Sequence, residues 1–176
     1  PTSTCICARV RYSVVKRDWP TPERAVIVAL LPKSVGRIRP SARFRTAYRI
    51  YAKAQARAVR KWAAGLPDAQ CNNSNGTWVG DSTWRAQVRS LTQSHKHHIE
   101  FLLDVKKAFG HVKRSSVARE AKNQDYPMVP LMASMASYAW PRYIGLDGLL
   151  AEPIVASRGI ATGSAFATFE LWCLLR

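Results

Sequence analysis

An α+β fold is what the sequence predicts, on three observations. Apolar stretches of strand length, "VIVALLP" at residues 26–32 and "IEFLLDV" at 99–105, stand beside segments whose apolar residues recur every three or four positions, so both periods are present. These segments follow one another without a strict βαβ rhythm, which argues for α+β. The composition, 47% hydrophobic and 22% charged over 176 residues, is that of a globular chain. Such a chain forms one ordinary domain or two small lobes and can bury roughly 70% of its unfolded surface.

Residues 1–23 carry three prolines and no clear period, and are expected to be irregular. The run 26–32 reads as a buried strand closed by Pro32, followed by a basic turn, "KSVGRIRP", built round Gly36 and ending at Pro40. Ser41 then caps a helix to about Ala64, with Gly65 and Pro67 as stop signals. Phe44, Ala47, Tyr48, Tyr51, Ala54, Ala58 and Trp62 make its apolar stripe. Arg45, Arg49, Lys53 and Arg57 recur every four residues and make a second stripe, a row of cations about 6 Å apart, comparable with phosphate spacing along a nucleic-acid strand. A merely solvated basic face is the other reading of that row.

"DAQCNNSNGTWVGDST" is loop-like, and Asp81 or Ser82 caps a helix through Thr92 with Trp84, Val88 and Leu91 on one side. A strand at 99–105, a basic helix near 112–122 and a short helix after Pro130 follow. "PRYIGLDGLLAEPIVASRGI" alternates apolar pieces with glycines as a hairpin does, and "ATGSAFATFELWCLL" leads a turn into an apolar helix. No internal repeat is present.

Lysine and arginine number 27 against 11 acids, a net charge of +16, which favours a polyanionic partner. The first 62 residues hold fifteen of those bases and two of the acids, so the basic surface belongs to the N-terminal third. Cys5, Cys7, Cys71 and Cys173 form no zinc or disulfide pattern, and a reducing compartment, nuclear or cytoplasmic, is expected. His95, His97 and His98 lack a carboxylate or thiol at ligand spacing and read as loop. The sequons at Asn72 and Asn75 matter only in a secreted protein, and no targeting signal is evident. No apolar run approaches the roughly 18 to 20 residues of a membrane span. The chain starts without methionine and ends in "FELWCLLR", a helix without a stop signal, so it is expected to be a piece of a longer polypeptide.

Asp104 is the residue that asks for chemistry. A carboxylate at the end of an apolar strand is costly unless paired with a cation or metal, and rigid strand-end carboxylates suit Mg²⁺ in phosphoryl and nucleotidyl transfer. Capping the following helix is its ordinary structural alternative.

Taken in chain order, the blocks "IVALLPKSVGRIRP", "FRTAYRIYAK", "DAQ" with "GDST", "FLLDVKKAF" and "RGIATGSAFATFEL" resemble those of the reverse transcriptase domain of retroelements, the non-LTR type in particular, over about residues 24–176. The resemblance implies a right-hand polymerase, with an N-terminal segment at 1–23, a fingers region at 24–98 and the first part of a palm at 99–176. It implies an RNA template, a DNA primer, deoxynucleoside triphosphates and Mg²⁺. Asp104 is then a metal ligand with the Val105 carbonyl beside it, and Phe109 lies under the incoming sugar, excluding a 2′-hydroxyl. Lys33 and Arg39 hold the triphosphate, as a point charge and a bidentate fork. Thr162 and Gly163 fall where the family has Gln-Gly near the nucleotide. Phe109 as plain core packing is the alternative.

The chain departs from the family pattern in three places. Gly110 stands where a second aspartate is common, Ala161 replaces a proline, and Thr162 replaces the glutamine. The family's aromatic-x-Asp-Asp motif is missing, since no Asp-Asp pair occurs in the 176 residues. One carboxylate cannot hold two Mg²⁺ ions tightly, so this polypeptide alone is expected not to polymerise DNA. A non-enzymatic basic RNA- or DNA-binding protein, or a non-functional retroelement relic, are the competing readings.

Overall fold

The computed structural model describes residues 19–33, 36–66, 79–92, 105, 107–146 and 148–175. It is mixed α and β, with a four-stranded sheet and six helices among those residues. Strands β1 (Val26–Lys33) and β2 (Arg37–Phe44) form a hairpin, followed by helices α1 (Thr46–Ala64), α2 (Val79–Thr92), α3 (Ala108–His111), α4 (Arg114–Asn123) and α5 (Met128–Tyr138). A second hairpin, β3 (Arg142–Leu146) and β4 (Leu149–Leu150), precedes helix α6 (Ala167–Leu175). The sheet order is β2-β1-β3-β4, with β1 antiparallel to β2 and parallel to β3. The sheet therefore joins strands from both sides of residue 98.

Gly36 takes φ 65, the left-handed turn that closes the first hairpin. Beyond it the expected turn and helix cap are a strand: the register runs from Lys33↔Arg37 to Val26↔Phe44, and Ser41 pairs with Ala29 instead of capping α1. Eight ladder partners outweigh a single cap. Pro40 is tolerated because β2 is an edge strand, and Pro32 because β1 pairs with β3 only over Val26–Ala29. Nor is β1 buried throughout. Val26 is buried, Ile27 is exposed, Val28 through Leu30 are partly covered, and Leu31 through Lys33 are exposed; along β2 burial rises again to Phe44.

Helix α1 starts at Thr46 with Arg45 as an uncapped N-cap, and ends where the Gly65 amide reaches the Trp62 carbonyl at 3.0 Å. Its buried residues are Tyr48, Tyr51, Ala52, Val59 and Ala63; Ala54 and Ala58 are exposed, because the 3.6-residue turn carries them off the stripe that Tyr48 begins. Helix α2 begins two residues before its expected cap, and Trp84 and Leu91 are exposed, at 67% and 78%, not packed on one buried side. Helix α5 begins before Pro130, which its first turn accepts because those amides need no helical partner. Of the strand expected at 99–105 only Val105 is described, and it is exposed and outside any strand. The α4 helix, the second hairpin and α6 stand near where the sequence puts them.

The core is aromatic. Trp19, from the segment expected to be irregular, is buried against Tyr48, Tyr51 and Trp140 with ring centroids 5.5 to 5.8 Å apart, all edge-on. Phe44 stacks tilted on Tyr48 at 4.6 Å. Such pairs add about 0.5–1.5 kcal/mol each beyond their buried area. A second cluster joins Trp62, Tyr126 and Trp172. Gln124 ties it together: its carbonyl accepts the Trp62 indole N–H at 2.7 Å and its side-chain amide donates to the Cys173 carbonyl at 2.7 Å.

Glu170 on α6 is fully buried, its two carboxyl oxygens held by the Ser134 hydroxyl and, at 2.5 Å, the Tyr138 hydroxyl. Burial pushes the Glu170 carboxyl up to about 7, the two hydroxyls opposing the shift. Burial likewise raises the Tyr138 and Tyr48 phenols well above their ordinary range.

Candidate functional site

The segment 156–163 is the element that builds a site, because it is fastened on two sides. On one side the Gly159 amide donates to the Val112 carbonyl at 2.8 Å and the Ile160 amide to the Phe109 carbonyl at 2.9 Å. On the other the Ala42 amide donates to the Thr162 carbonyl at 2.7 Å, and the Thr162 hydroxyl to the Pro40 carbonyl at 3.0 Å. Arg114 straps the segment from below, donating to the carbonyls of Gly159 at 2.9 Å, Ala156 at 2.8 Å and Arg158 at 3.2 Å. The approach is close enough to require glycine at two positions. A Cβ on Gly159, at φ 81, would meet the Phe109 and Gly110 carbonyl oxygens at 2.9 Å, and one on Gly163, at φ 107, would run into the Ala42 carbonyl.

These fastenings leave a cleft of about 760 Å³ between the first hairpin, the α3 turn and the fastened segment. Val28, Ala42 and Arg142 line it from the sheet, and Lys33, Arg37 and Arg39 from the hairpin tip. Lys107, Phe109 and Gly110 come from α3 and its entry, and Ile160, Ala161 and Thr162 from the fastened segment. Its cations thus number five, and among the described residues no carboxylate forms an ion pair with any of them. Arg142 is half-buried and its guanidinium donates to the Tyr138 carbonyl at 3.2 Å; burial lowers its hold on the proton, yet an arginine stays charged at neutral pH. The arrangement is a positive, partly apolar cleft with one aromatic ring, chemistry suited to an anion carrying a flat or sugar-like body.

Lys33, Arg39, Phe109 and Thr162, all singled out from the sequence, meet in this cleft, and Gly163 adjoins it. Thr162 serves also as a fastener, through both its carbonyl and its hydroxyl. Phe109 is half-buried and packs against the core, so it contributes to packing as well as to the lining. The Val105 carbonyl accepts the Ala108 amide at 3.3 Å, which occupies one of its two lone pairs. Asp104 lies outside the described residues, as do the block at 68–70, Asn72, Asn75 and the histidines at 95, 97 and 98. Arg45, Arg49, Lys53 and Arg57 are all exposed and stand apart from the cleft lining; Arg45 is the N-cap, one residue before the helix proper.

Sequence reasoning missed Arg37, Lys107, Arg142 and Arg114. Arg37 and Arg39 alternate as strand residues on one face do, a signal hidden while 33–40 was read as a turn. The other three carry no local signature, since only tertiary pairing brings them in.

Among the described residues no group of three histidines, cysteines or acids lies close enough to hold a metal ion, and no carboxylate lines the cleft. The described donors alone therefore do not fit Mg²⁺. Nor is any described helix long and apolar enough to cross a membrane. The sequence matches no family model and no curated protein.

Proposed function

We propose that the chain is the fingers and first palm segment of an RNA-directed DNA polymerase, and that its cleft receives the deoxynucleoside triphosphate. The observation that carries the reading is the gathering of Lys33, Arg39, Phe109 and Thr162, residues far apart in sequence, into one cationic cleft. Motif order alone ties each of them to the nucleotide. In this reading Lys33 and Arg39 bind the phosphates, Phe109 faces the sugar, and the fastened segment sets the distance between them. Asp104 with the Val105 carbonyl belongs to a Mg²⁺ site completed by carboxylates that these 176 residues do not carry as an Asp-Asp pair. Mg²⁺ held there would supply charge neutralisation to the phosphates.

Equilibrium dialysis of the purified chain against labelled dTTP tests this. Binding that weakens about tenfold or more in Lys33→Ala and in Arg39→Ala supports the reading, that being the size expected for a lost charge-assisted contact. Absence of binding, or binding indifferent to both substitutions, overturns it. Primer extension is expected only from a longer polypeptide and lost there in Asp104→Ala.

The exposed row Arg45, Arg49, Lys53 and Arg57 favours a second reading, a basic RNA- or DNA-binding surface. The two are compatible in one protein, the row engaging the template backbone while the cleft engages the nucleotide.

A further inference from the structure

We infer that Lys107 and Arg142 are polyphosphate ligands of the cleft, acting from its floor and from the α3 entry while Lys33, Arg37 and Arg39 act from the hairpin tip. The inference rests on the nucleotide reading of the cleft and deepens it, assigning the cleft's affinity to the phosphate chain more than to base or sugar.

Lys107 has φ 53 and ψ 34, a left-handed backbone that a lysine adopts at a cost. One other non-glycine residue among those described shares this conformation, Asp125. Asp125 follows the C-cap of α4 with its amide on the Lys122 carbonyl, the ordinary place for such a residue at a helix end. Lys107 instead precedes a helix, as the third residue of a turn closed by the Ala108 amide on the Val105 carbonyl, a position that favours glycine or asparagine and here holds a lysine. What the position does supply is a cation in the lining of the cleft, on a backbone held by the Gly110 amide at 2.9 Å. Strain kept at a site lining, where glycine would relieve it, is the mark of a side chain with a task.

Arg142 has the complementary anomaly. It is a half-buried guanidinium in the body of the sheet, opposite Val26, whose side-chain partner among the described residues is the Tyr138 carbonyl. A guanidinium carries five N–H donors in a planar fork, and one such contact leaves most of them for a ligand. Arg114, by contrast, is occupied by three carbonyls and serves the scaffold. A desolvated cation without a carboxylate partner is costly, and an oxyanion bound in the same cleft removes that cost.

The test uses inorganic tripolyphosphate and dTTP as probes, by isothermal titration of the whole chain and of three variants. Lys107→Gly is the decisive one, because glycine relieves the backbone while removing the charge. The expected result is a melting temperature equal to or above that of the parent, with tripolyphosphate and dTTP affinity both lowered about tenfold. Arg142→Gln is expected to lower both affinities by at least as much. If Arg39→Ala weakens dTTP binding while Lys107→Gly and Arg142→Gln bind tripolyphosphate as the parent does, the inference fails and the nucleotide reading stands. If the parent binds neither probe, both fail. If Lys107→Gly weakens dTTP but leaves tripolyphosphate binding intact, the assignment to the phosphate chain is overturned.

Discussion

The Ala42 amide and the Thr162 carbonyl, 2.7 Å apart, join the edge of the sheet to the segment that enters α6, and Gly163 is the residue that makes this joint possible. Its φ of 107 is closed to other side chains, and a Cβ would strike backbone, which cannot move aside as a flexible side chain could. Gly163→Ala should therefore lower stability by more than ~1 kcal/mol and abolish dTTP binding. Gly110→Ala, within α3 and with open space around it, should be neutral or stabilise by up to ~1 kcal/mol. Thermal melts of the two variants side by side check this, and equal melting temperatures would contradict it.

Glu170 makes stability depend on pH in an unusual direction. Its carboxyl is at about 7 when folded, against 4.5 as the ordinary value, because burial outweighs the hydroxyls of Ser134 and Tyr138. Between those values the folded chain keeps a proton that the unfolded chain releases. The stabilisation is thus fully present below about pH 4.5, declines as pH rises to about 7, and is gone above, a change on the order of 3 kcal/mol. Urea midpoints of the parent minus those of Glu170→Gln should fall across that window. A difference that is flat with pH would refute it.

Arg114 holds three carbonyls with one planar fork, a geometry that an ammonium cannot reproduce. Arg114→Lys should cost about 1–3 kcal/mol and speed hydrogen exchange at the Gly159 and Ile160 amides, which bond to Val112 and Phe109. Mass spectrometry of exchanged peptides covering 156–163 reads this directly. Protection unchanged in that peptide would show that the strap is dispensable.

The row on α1 should act on polynucleotides and leave mononucleotides alone. Replacing Arg49 and Lys53 together by alanine is expected to reduce the slope of log affinity against log salt by about 0.7 per lost phosphate contact on single-stranded RNA. Binding of dTTP should be unchanged. An unaltered salt slope would mean that the row is solvated surface only.

What could be read in the sequence followed from local signals. Gly145 and Gly148 marked the second hairpin, and the apolar run after Gly163 marked α6. The edge strand β2 was hidden because "RIRPSARF" carries three apolar side chains without a strict alternation, and a proline, and becomes a strand only through its pairing with β1. The parallel pairing of β1 with β3 spans most of the chain and leaves no local trace. In the same way motif order named Lys33, Arg39, Phe109 and Thr162, whereas Lys107 and Arg142 emerged only when the fold brought a turn and a strand to one cleft.

The first hairpin is a cantilever. Its root, Val26 and Phe44, is clamped in the aromatic core, and its burial fades toward Lys33 and Arg37. In a beam clamped at one end deflection grows with distance from the clamp, so thermal bending leaves Ala42 and its joint to Thr162 nearly still while the tip cations swing together. The gap between tip and floor is then an elastic aperture whose stiffness is set at Phe44 and Tyr48, at the opposite end of the hairpin from Lys33 and Arg37.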